Sequence, residues 1–111
     1  MTCLPVLFPV ADRRVLVTGG RGFIGQAVVR LLRGAGAEVI APSSSALDVR
    51  NASAVRSCVD ANQVEAVVHL AGVVGGRRWL AARDEQIKRD GATMCASLLE
   101  ASRCASLHRI V

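Results

Sequence analysis

The sequence is 111 residues long, which gives room for one domain with one core. Hydrophobic residues make up 51% and charged residues 21%, a balance typical of a folded globular domain and not of a disordered chain. The formal net charge is +5, but the basic residues are scattered and aromatic residues make up only 3%, so we expect no nucleic-acid partner.

The start of the chain and its cysteines carry no targeting or metal-binding pattern. Residues 1–12 are predicted to be an extension that precedes one domain at residues 13–111. Residues 4–10 are apolar, but prolines interrupt them, no basic region precedes them and they are too short to span a bilayer. We therefore expect a cytoplasmic protein with no membrane partner. The cysteines lack C-x-x-C spacing, which predicts small buried residues in a reducing compartment and no metal; they are Cys3, Cys58, Cys95 and Cys104.

Regular patterning begins with a short apolar run that leads into a glycine cluster. Residues 15–17 form a continuous apolar run, which is typical of a strand buried on both faces. The cluster at residues 19–22 follows. Apolar residues then recur with helical spacing at Ile24, Val28, Leu31 and Leu32. Gly34 and Gly36 are predicted to end this helix.

The remaining elements continue the alternation of strands and helices. Residues 39–41 predict a second strand, closed by Pro42 and three serines, and residues 46–48 a very short third one. Asn51 is a plausible cap for a helix that carries Val55, Cys58 and Val59. Residues 64–70 predict a fourth strand. A long helix is expected at residues 79–102 with Leu98 and Leu99 on its inward face, and residues 108–111 are predicted to open a fifth strand.

Such an alternation predicts an α/β fold, namely a Rossmann-type, doubly wound parallel sheet. Right-handed crossovers favour the strand order 3-2-1-4-5, with a ligand crevice at the carboxyl ends of strands 1 and 4. We expect the chain to represent the N-terminal half of such a sheet and to stop inside strand 5.

The glycine cluster is the most informative segment. Gly20, Gly22 and Gly25 satisfy the pattern G-x-G-x-x-G. Gly19, Gly22 and Gly25 satisfy the wider pattern G-x-x-G-x-x-G. Because the pattern follows a strand and opens a helix, it predicts a dinucleotide site; the alternative is a tight turn without a ligand. Gly19 and Gly20 are expected to adopt backbone angles that a side chain would forbid. Gly22 is expected to let a pyrophosphate approach the backbone, and Gly25 to let the helix pack against the strand. The helix N-terminus would face the phosphates.

Residues 15–25 also resemble the short-chain dehydrogenase/reductase superfamily, in particular its extended branch, the NAD-dependent epimerase/dehydratase family. Residues 47–49 are similar to the family's segment beside the adenine, residues 69–72 to its strand-4 motif along the ribose, and residues 98–101 to the end of its long fourth helix. The resemblance covers residues 13–111. It implies that Asp48 accepts a hydrogen bond from the adenine amino group. The motif and the resemblance together predict cofactor contacts at Thr18, Gly19, Gly20, Arg21, Gly22, Phe23, Ile24, Gly25, Ser43, Ser44, Asp48, Val49, Leu70, Ala71 and Gly72.

Two features narrow the resemblance to particular subfamilies within this family. Few residues separate the second strand from Leu47, as in GDP-fucose synthases and dTDP-4-dehydrorhamnose reductases, and Val74-Gly75-Gly76 resembles the Val-Gly-Gly of the GDP-fucose synthase subfamily. An ordinary flexible loop is the alternative for the two glycines. The resemblance implies that the complete protein reduces or epimerises a GDP- or dTDP-4-keto-sugar, and we expect that protein to be a homodimer.

The end of the second strand bears on the choice between NAD and NADP. A site for NAD commonly has an acidic residue there, but this chain has Ser43, and Glu38 lies at the wrong end of the strand. The serine hydroxyls and Arg21 are suited to a 2′-phosphate, so NADP is favoured over NAD. The alternative is that the serines form a turn and Arg21 is a solvated surface residue.

The family's catalytic residues are missing from this sequence. The family uses a Ser and a Tyr-x-x-x-Lys pair, and the chain contains no Tyr, so we assign no catalytic residue. Gly91 stands at or beside the place where the family's long helix often carries Asn, and Asp90 could serve after a one-residue shift. His69 is expected to be packed in the core. The chain by itself is therefore predicted to be inactive, and the alternative function is a non-catalytic dinucleotide-binding or interaction module that pairs through the strand edge at residues 108–111.

Overall fold

The computed structural model describes residues 10–72, 84–101, 103–104 and 106–111. In these ranges the chain forms parallel strands and helices in alternation. The strands are β1 (Arg14–Thr18), β2 (Glu38–Ile40), β3 (Ala66–His69) and β4 (Arg109–Ile110). The helices are α1 (Phe23–Gly34), α2 (Ala52–Ala61) and α3 (Asp84–Ala101). Most of the predicted extension and the Val74-Gly75-Gly76 segment lie outside the described residues.

The sheet has the strand order β2-β1-β3-β4. These strands correspond to the predicted strands 2, 1, 4 and 5, so the α/β fold class and the predicted order of these four strands are confirmed. β3 lies beside β1, with Leu16 opposite Val67 and Thr18 opposite His69. The carboxyl ends of β1 and β3 therefore lie next to each other. This is the place at which an open parallel sheet reverses its strand order and forms a crevice.

The predicted third strand at residues 46–48 is absent. The carbonyl oxygen of Ser43 accepts from the N–H groups of Ala46 and Leu47, at 3.0 and 2.9 Å. The carbonyl oxygen of Asp48 accepts from Asn51 at 3.0 Å. Because these backbone groups are used in successive turns, they are unavailable to a sheet. The apolar character of the segment instead reflects burial, since Leu47 and Val49 are 6% exposed.

Helices cover both faces of the sheet, as expected for a doubly wound fold. Leu16 and Val67 point to the face covered by α2 and α3, where they join a buried cluster. Val15, Val17 and Ala66 point to the opposite face, where Val29 of α1 packs against them. The two sets alternate along the strands because successive side chains in a strand point to opposite faces. Both clusters hold the strand ends, and with them the loops that follow, in fixed positions.

The helix that begins after Asn51 is confirmed, together with its cap. The Asn51 side chain accepts from the N–H group of Ala54 at 3.1 Å, and Val55 and Val59 are fully buried. Asn51 thereby satisfies one of the N–H groups that the first turn of a helix leaves unpaired.

The exposed sides of the other helices differ from the predicted apolar faces. In α3, Leu98 is buried as expected, but Leu99 is exposed. In α1, Ile24 and Leu31 are also exposed, because the side that faces the sheet is centred on Val29. Neighbouring residues on a helix are about 100° apart, so Leu98 and Leu99 do not point in the same direction.

The cysteines within the described residues are free thiols. Cys104 is buried and Cys58 is half-buried, but Cys95 is exposed, so the expectation of buried cysteines is wrong for Cys95. Burial raises the pKa of the Cys58 thiol.

Candidate functional site

A cavity of about 610 Å³ lies at the carboxyl edge of the sheet. Its walls come from the end of β1 at Thr18, the loop that follows β2 and the segment that follows β3 from Leu70. The volume falls within the range of roughly 300–1,000 Å³ that is usual for small-molecule sites. The cavity occupies the position that the strand order predicts for a ligand crevice.

Many of the residues predicted to contact a cofactor line this cavity. They are Thr18, Gly19, Arg21, Gly22, Ser43, Ser44, Asp48, Val49, Leu70, Ala71 and Gly72. Gly20, Phe23, Ile24 and Gly25 do not line it. Phe23 is 97% exposed, so its side chain points to solvent. Asp90, expected only as a replacement for Asn, also lines the cavity. The lining residues outside the predicted site are Pro42, Ser45, Leu47, Arg50 and Met94.

Gly19 and Gly25 shape the loop between β1 and α1. Gly19 has a φ of +71°, and a Cβ there would lie 2.6 Å from the backbone nitrogen of Ala71. A Cβ on Gly25 would collide with the carbonyl oxygen of Gly19. The close approach at Gly25 is therefore to the loop, not to the strand as predicted. Gly20 has no positive φ, which corrects the expectation for its backbone; its lack of a side chain leaves room for Ala41, whose Cβ would be 2.9 Å away.

Gly22 is the N-cap of α1 and leaves the first turn of the helix uncapped. It has no side chain to accept from that turn, and no acidic residue lies within the turn. Its own N–H donates to the carbonyl oxygen of Gly19 at 3.1 Å, which closes the loop below the helix. The first N–H groups of a helix have no partner within the helix and carry a partial positive charge. Since Gly22 lines the cavity, this helix end is suited to an anion there.

The hydroxyl of Thr18 joins β1 to the segment after β3. Thr18 is 2% exposed, and its Oγ1 accepts from the N–H groups of Leu70 and Ala71 at 3.1 and 3.2 Å. Because both lone pairs are used, the hydroxyl proton is directed to His69 Nδ1, 2.6 Å away. His69 thus accepts at Nδ1 and carries its proton on Nε2. Burial lowers the pKa of His69 from its ordinary value, which favours this neutral form.

Replacement of Thr18 by Val should destabilise the protein by about 1–3 kcal/mol. The substitution keeps the shape of the side chain but removes the acceptor for Ala71 and the donor for His69. Thr93→Val is the matched control, because its hydroxyl donates only to the carbonyl oxygen of Arg89 on the exposed side of α3. The control should change stability by less than about 0.5 kcal/mol. Urea unfolding followed by circular dichroism measures both; equal effects would contradict the role of Thr18.

Two carboxylates and an arginine form the polar wall of the cavity. Arg50 Nε and Nη2 donate to Asp48 Oδ1 and Oδ2 at 3.0 and 3.1 Å, and Nη1 lies 3.7 Å from Asp90 Oδ1. The side-chain hydrogen bond from Arg50 lowers the pKa of Asp48, so this carboxyl is ionised at neutral pH. The side chain of Asp90 is 17% exposed. Asp90 and Met94 of α3 therefore line the cavity, and Gly91 does not.

The serines after β2 form a turn that borders the cavity. Ser43 Oγ lies 2.9 Å from Ser45 Oγ and accepts from the N–H group of Ala46 at 3.2 Å. Arg21 also lines the cavity, and the described residues provide it with no ion-pair partner. The turn that the sequence left as an alternative is thus present, and Ser43 and Arg21 border the same cavity.

A glycine loop that joins the first strand of a parallel sheet to an uncapped helix, below a cavity at the carboxyl edge, defines a Rossmann-type domain. The chain belongs to the NAD-dependent epimerase/dehydratase family, whose family model matches residues 15–111. Over 90 residues it is 38% identical to a GDP-L-fucose synthase from Azorhizobium caulinodans, a match that covers 81% of this chain and 29% of that enzyme. The chain therefore spans less than a third of that relative's length.

Solved structures agree with the fold. A GDP-mannoheptose C4 reductase from Campylobacter jejuni with NADP bound matches with a TM-score of 0.77 and 20% identity, over 90% of this chain and 30% of that one. A GDP-L-fucose synthetase from Naegleria fowleri bound to NADP matches with a TM-score of 0.66 and 26% identity, over 85% of this chain and 30% of that one. No helix in the described part of the chain is both long and apolar enough to cross a membrane.

Proposed function

We propose that this chain binds NADP in the cavity at the carboxyl edge of the sheet and forms the cofactor-binding part of a nucleotide-sugar reductase or epimerase. The observation that carries the proposal is the uncapped N-terminus of α1. Its N-cap residue, Gly22, lines the cavity and has no side chain that would separate a ligand from the helix. A pyrophosphate needs such a close approach to backbone N–H groups. Membership of the NAD-dependent epimerase/dehydratase family supports a nicotinamide dinucleotide as the ligand.

Each wall of the cavity has a role in this proposal. The first turn of α1 binds the pyrophosphate through N–H groups that include those of Phe23 and Ile24. Asp48 and Val49 hold the adenine, and the segment from Leu70 to Gly72 lies along the ribose. When bound, the nicotinamide ring supplies a hydride. The residues named here bind and orient the dinucleotide; none of them transfers a proton to the substrate.

The 2′-phosphate that distinguishes NADP from NAD should determine which dinucleotide binds more tightly. Ser43 and Arg21 line the cavity and no carboxylate stands at position 43, so a 2′-phosphate gains charge-assisted hydrogen bonds without repulsion. NADP should therefore bind about tenfold or more tightly than NAD. Calorimetric titration of the chain with each dinucleotide measures the ratio, and equal or reversed affinities would contradict the preference.

Variants locate the source of this preference. Arg21→Gln should reduce the ratio of the two affinities to about threefold or less, chiefly by weakening NADP. Arg33→Gln is the matched control, because Arg33 is a basic residue in the last turn of the same helix and does not line the cavity. It should leave the ratio unchanged. If the two variants reduce the ratio equally, general charge and not a 2′-phosphate contact produces the preference.

The substrate and the assembly belong to the complete protein. We propose that the complete protein is a homodimer that reduces or epimerises a GDP- or dTDP-4-keto-sugar. The 38% identity to a GDP-L-fucose synthase supports a nucleotide sugar as the substrate. The 111 residues contain no Tyr, which favours a non-catalytic dinucleotide-binding module as the second candidate for the chain by itself. Binding of NADP without turnover of any nucleotide sugar is the result expected of such a module.

A further inference from the structure

Arg50 links two structural elements at the wall of the cavity. Its guanidinium binds Asp48, in the loop before α2, through two hydrogen bonds, and its Nη1 lies 3.7 Å from Asp90 on α3. All three residues line the cavity. The guanidinium is thus restrained from two sides, although Arg50 itself is about half exposed.

The hydrogen bonds to Asp48 leave little acceptor capacity on its carboxylate. Oδ1 accepts from both the backbone N–H and Nε of Arg50, each at 3.0 Å, and Oδ2 accepts from Nη2 at 3.1 Å. A carboxylate has about four acceptor positions. One position on Oδ2 therefore remains, and within the described residues no further donor occupies it. Asp48 lines the cavity, so its carboxylate borders the space that a ligand would occupy.

We propose that Arg50 is a positioning residue for the adenine end of the dinucleotide: its planar fork orients the Asp48 carboxylate and leaves one Oδ2 acceptor for an N–H of the base. The inference rests on the proposed function, since it requires a dinucleotide in the cavity. A bidentate guanidinium restricts rotation of the carboxylate about its terminal bond, which a single-point cation does not. Arg50 therefore acts through Asp48, and selectivity for the base depends on the pair that the two residues form.

A pair of ligands that differ only at the base isolates this role. NADPH carries an exocyclic amino group on adenine, whereas nicotinamide hypoxanthine dinucleotide phosphate, in its reduced form, carries a carbonyl oxygen there. The wild-type chain should bind NADPH about tenfold more tightly, because the analogue replaces a donor that faces a carboxylate with an acceptor. Fluorescence of the reduced nicotinamide ring measures both dissociation constants.

The Arg50→Gln variant should reduce this affinity ratio to about threefold or less. Affinity for NADPH falls, whereas affinity for the hypoxanthine analogue stays within about twofold of the wild type. The unchanged analogue affinity also shows that the variant is folded and retains its cavity. Arg50→Lys keeps the charge but not the fork, so it should reduce the ratio as Gln does.

Arg103→Gln is the matched control, because it removes the exposed ion pair with Glu100 beyond the end of α3 and the same unit of charge. It should leave both affinities and their ratio unchanged. A ratio that persists in Arg50→Gln or in Arg50→Lys overturns the positioning role. An equal loss for both ligands in Arg50→Gln overturns it as well, because it indicates general damage to the cavity.

The same titrations separate this inference from the function on which it rests. If the wild-type chain binds neither ligand, the proposed function fails and the inference with it. If it binds both ligands with equal affinity, the proposed function stands and the role of Arg50 and Asp48 at the base is wrong.

Discussion

Replacement of Gly22 by Val should abolish detectable dinucleotide binding while the fold persists. Gly22 is the N-cap of α1 and lines the cavity, so a branched side chain there stands between the ligand and the helix N-terminus. The pyrophosphate then loses several hydrogen bonds to backbone N–H groups at once, and the affinity should fall by about 100-fold or more.

The backbone at Gly22 tolerates the change. Its φ of −74° and ψ of 177° are open to any residue, and a Cβ would meet only the carbonyl oxygen of Gly19, at 3.4 Å. Gly34→Val is the matched control at the other end of α1, since a Cβ on Gly34 would meet no atom within 4 Å. The control should bind NADP with the affinity of the wild type. Circular dichroism checks the fold of both variants and calorimetry their binding; a folded Gly22→Val chain that binds normally would show that the loop does not hold the pyrophosphate.

The strand order was predictable because it follows from chain-wide regularities. Apolar runs at residues 15–17 and 64–70 are typical of strands buried on both faces, and right-handed crossovers leave few ways to arrange such strands. The third strand was not predictable in the same way. Leu47 is apolar because it is buried in the core, but its backbone N–H is used in a turn with Ser43. Hydrophobicity reports burial and does not distinguish a strand from a turn over three residues.

The sequence also did not determine which face of each helix packs against the sheet. Ile24 and Leu31 are apolar and spaced as a helical stripe, and yet they are exposed in this structure. Leu99 is exposed for a related reason, because Leu98 beside it takes the inward position. Periodicity identifies a helix, but which side packs depends on where the sheet lies relative to the helix axis.

The glycine loop was predictable from sequence because its requirements are local. Gly19 has a positive φ, and a Cβ on Gly25 would collide with the carbonyl oxygen of Gly19. Both requirements arise within seven consecutive residues. The ion pair between Arg50 and Asp90 depends instead on how α2 and α3 pack. The two residues are 40 positions apart, and nothing in their spacing indicates contact. Arg50 directly follows the segment assigned to the adenine, which is the one signal that pointed to it.

The 111-residue chain should catalyse no measurable reduction or epimerisation of a nucleotide sugar, even when it binds NADPH. Hydride transfer to a carbonyl leaves negative charge on oxygen, so a proton donor must act in the same step. The chain contains no Tyr to provide it. His69 is not a substitute, because it does not line the cavity.

The missing donor alone should reduce the rate by about 10²–10⁴-fold. The total loss should be larger, since the described cavity is proposed to hold the dinucleotide and no residue in it is assigned to hold a sugar beside the nicotinamide. The test follows NADPH absorbance with a panel of GDP- and dTDP-4-keto-sugars, and a complete GDP-L-fucose synthase serves as the positive control. The Gly22→Val chain, purified in parallel, reports contaminating activity. Turnover that the wild-type chain shows and the Gly22→Val chain lacks would mean that these residues contain a proton donor other than Tyr, and that the assignment of this chain to cofactor binding alone is wrong.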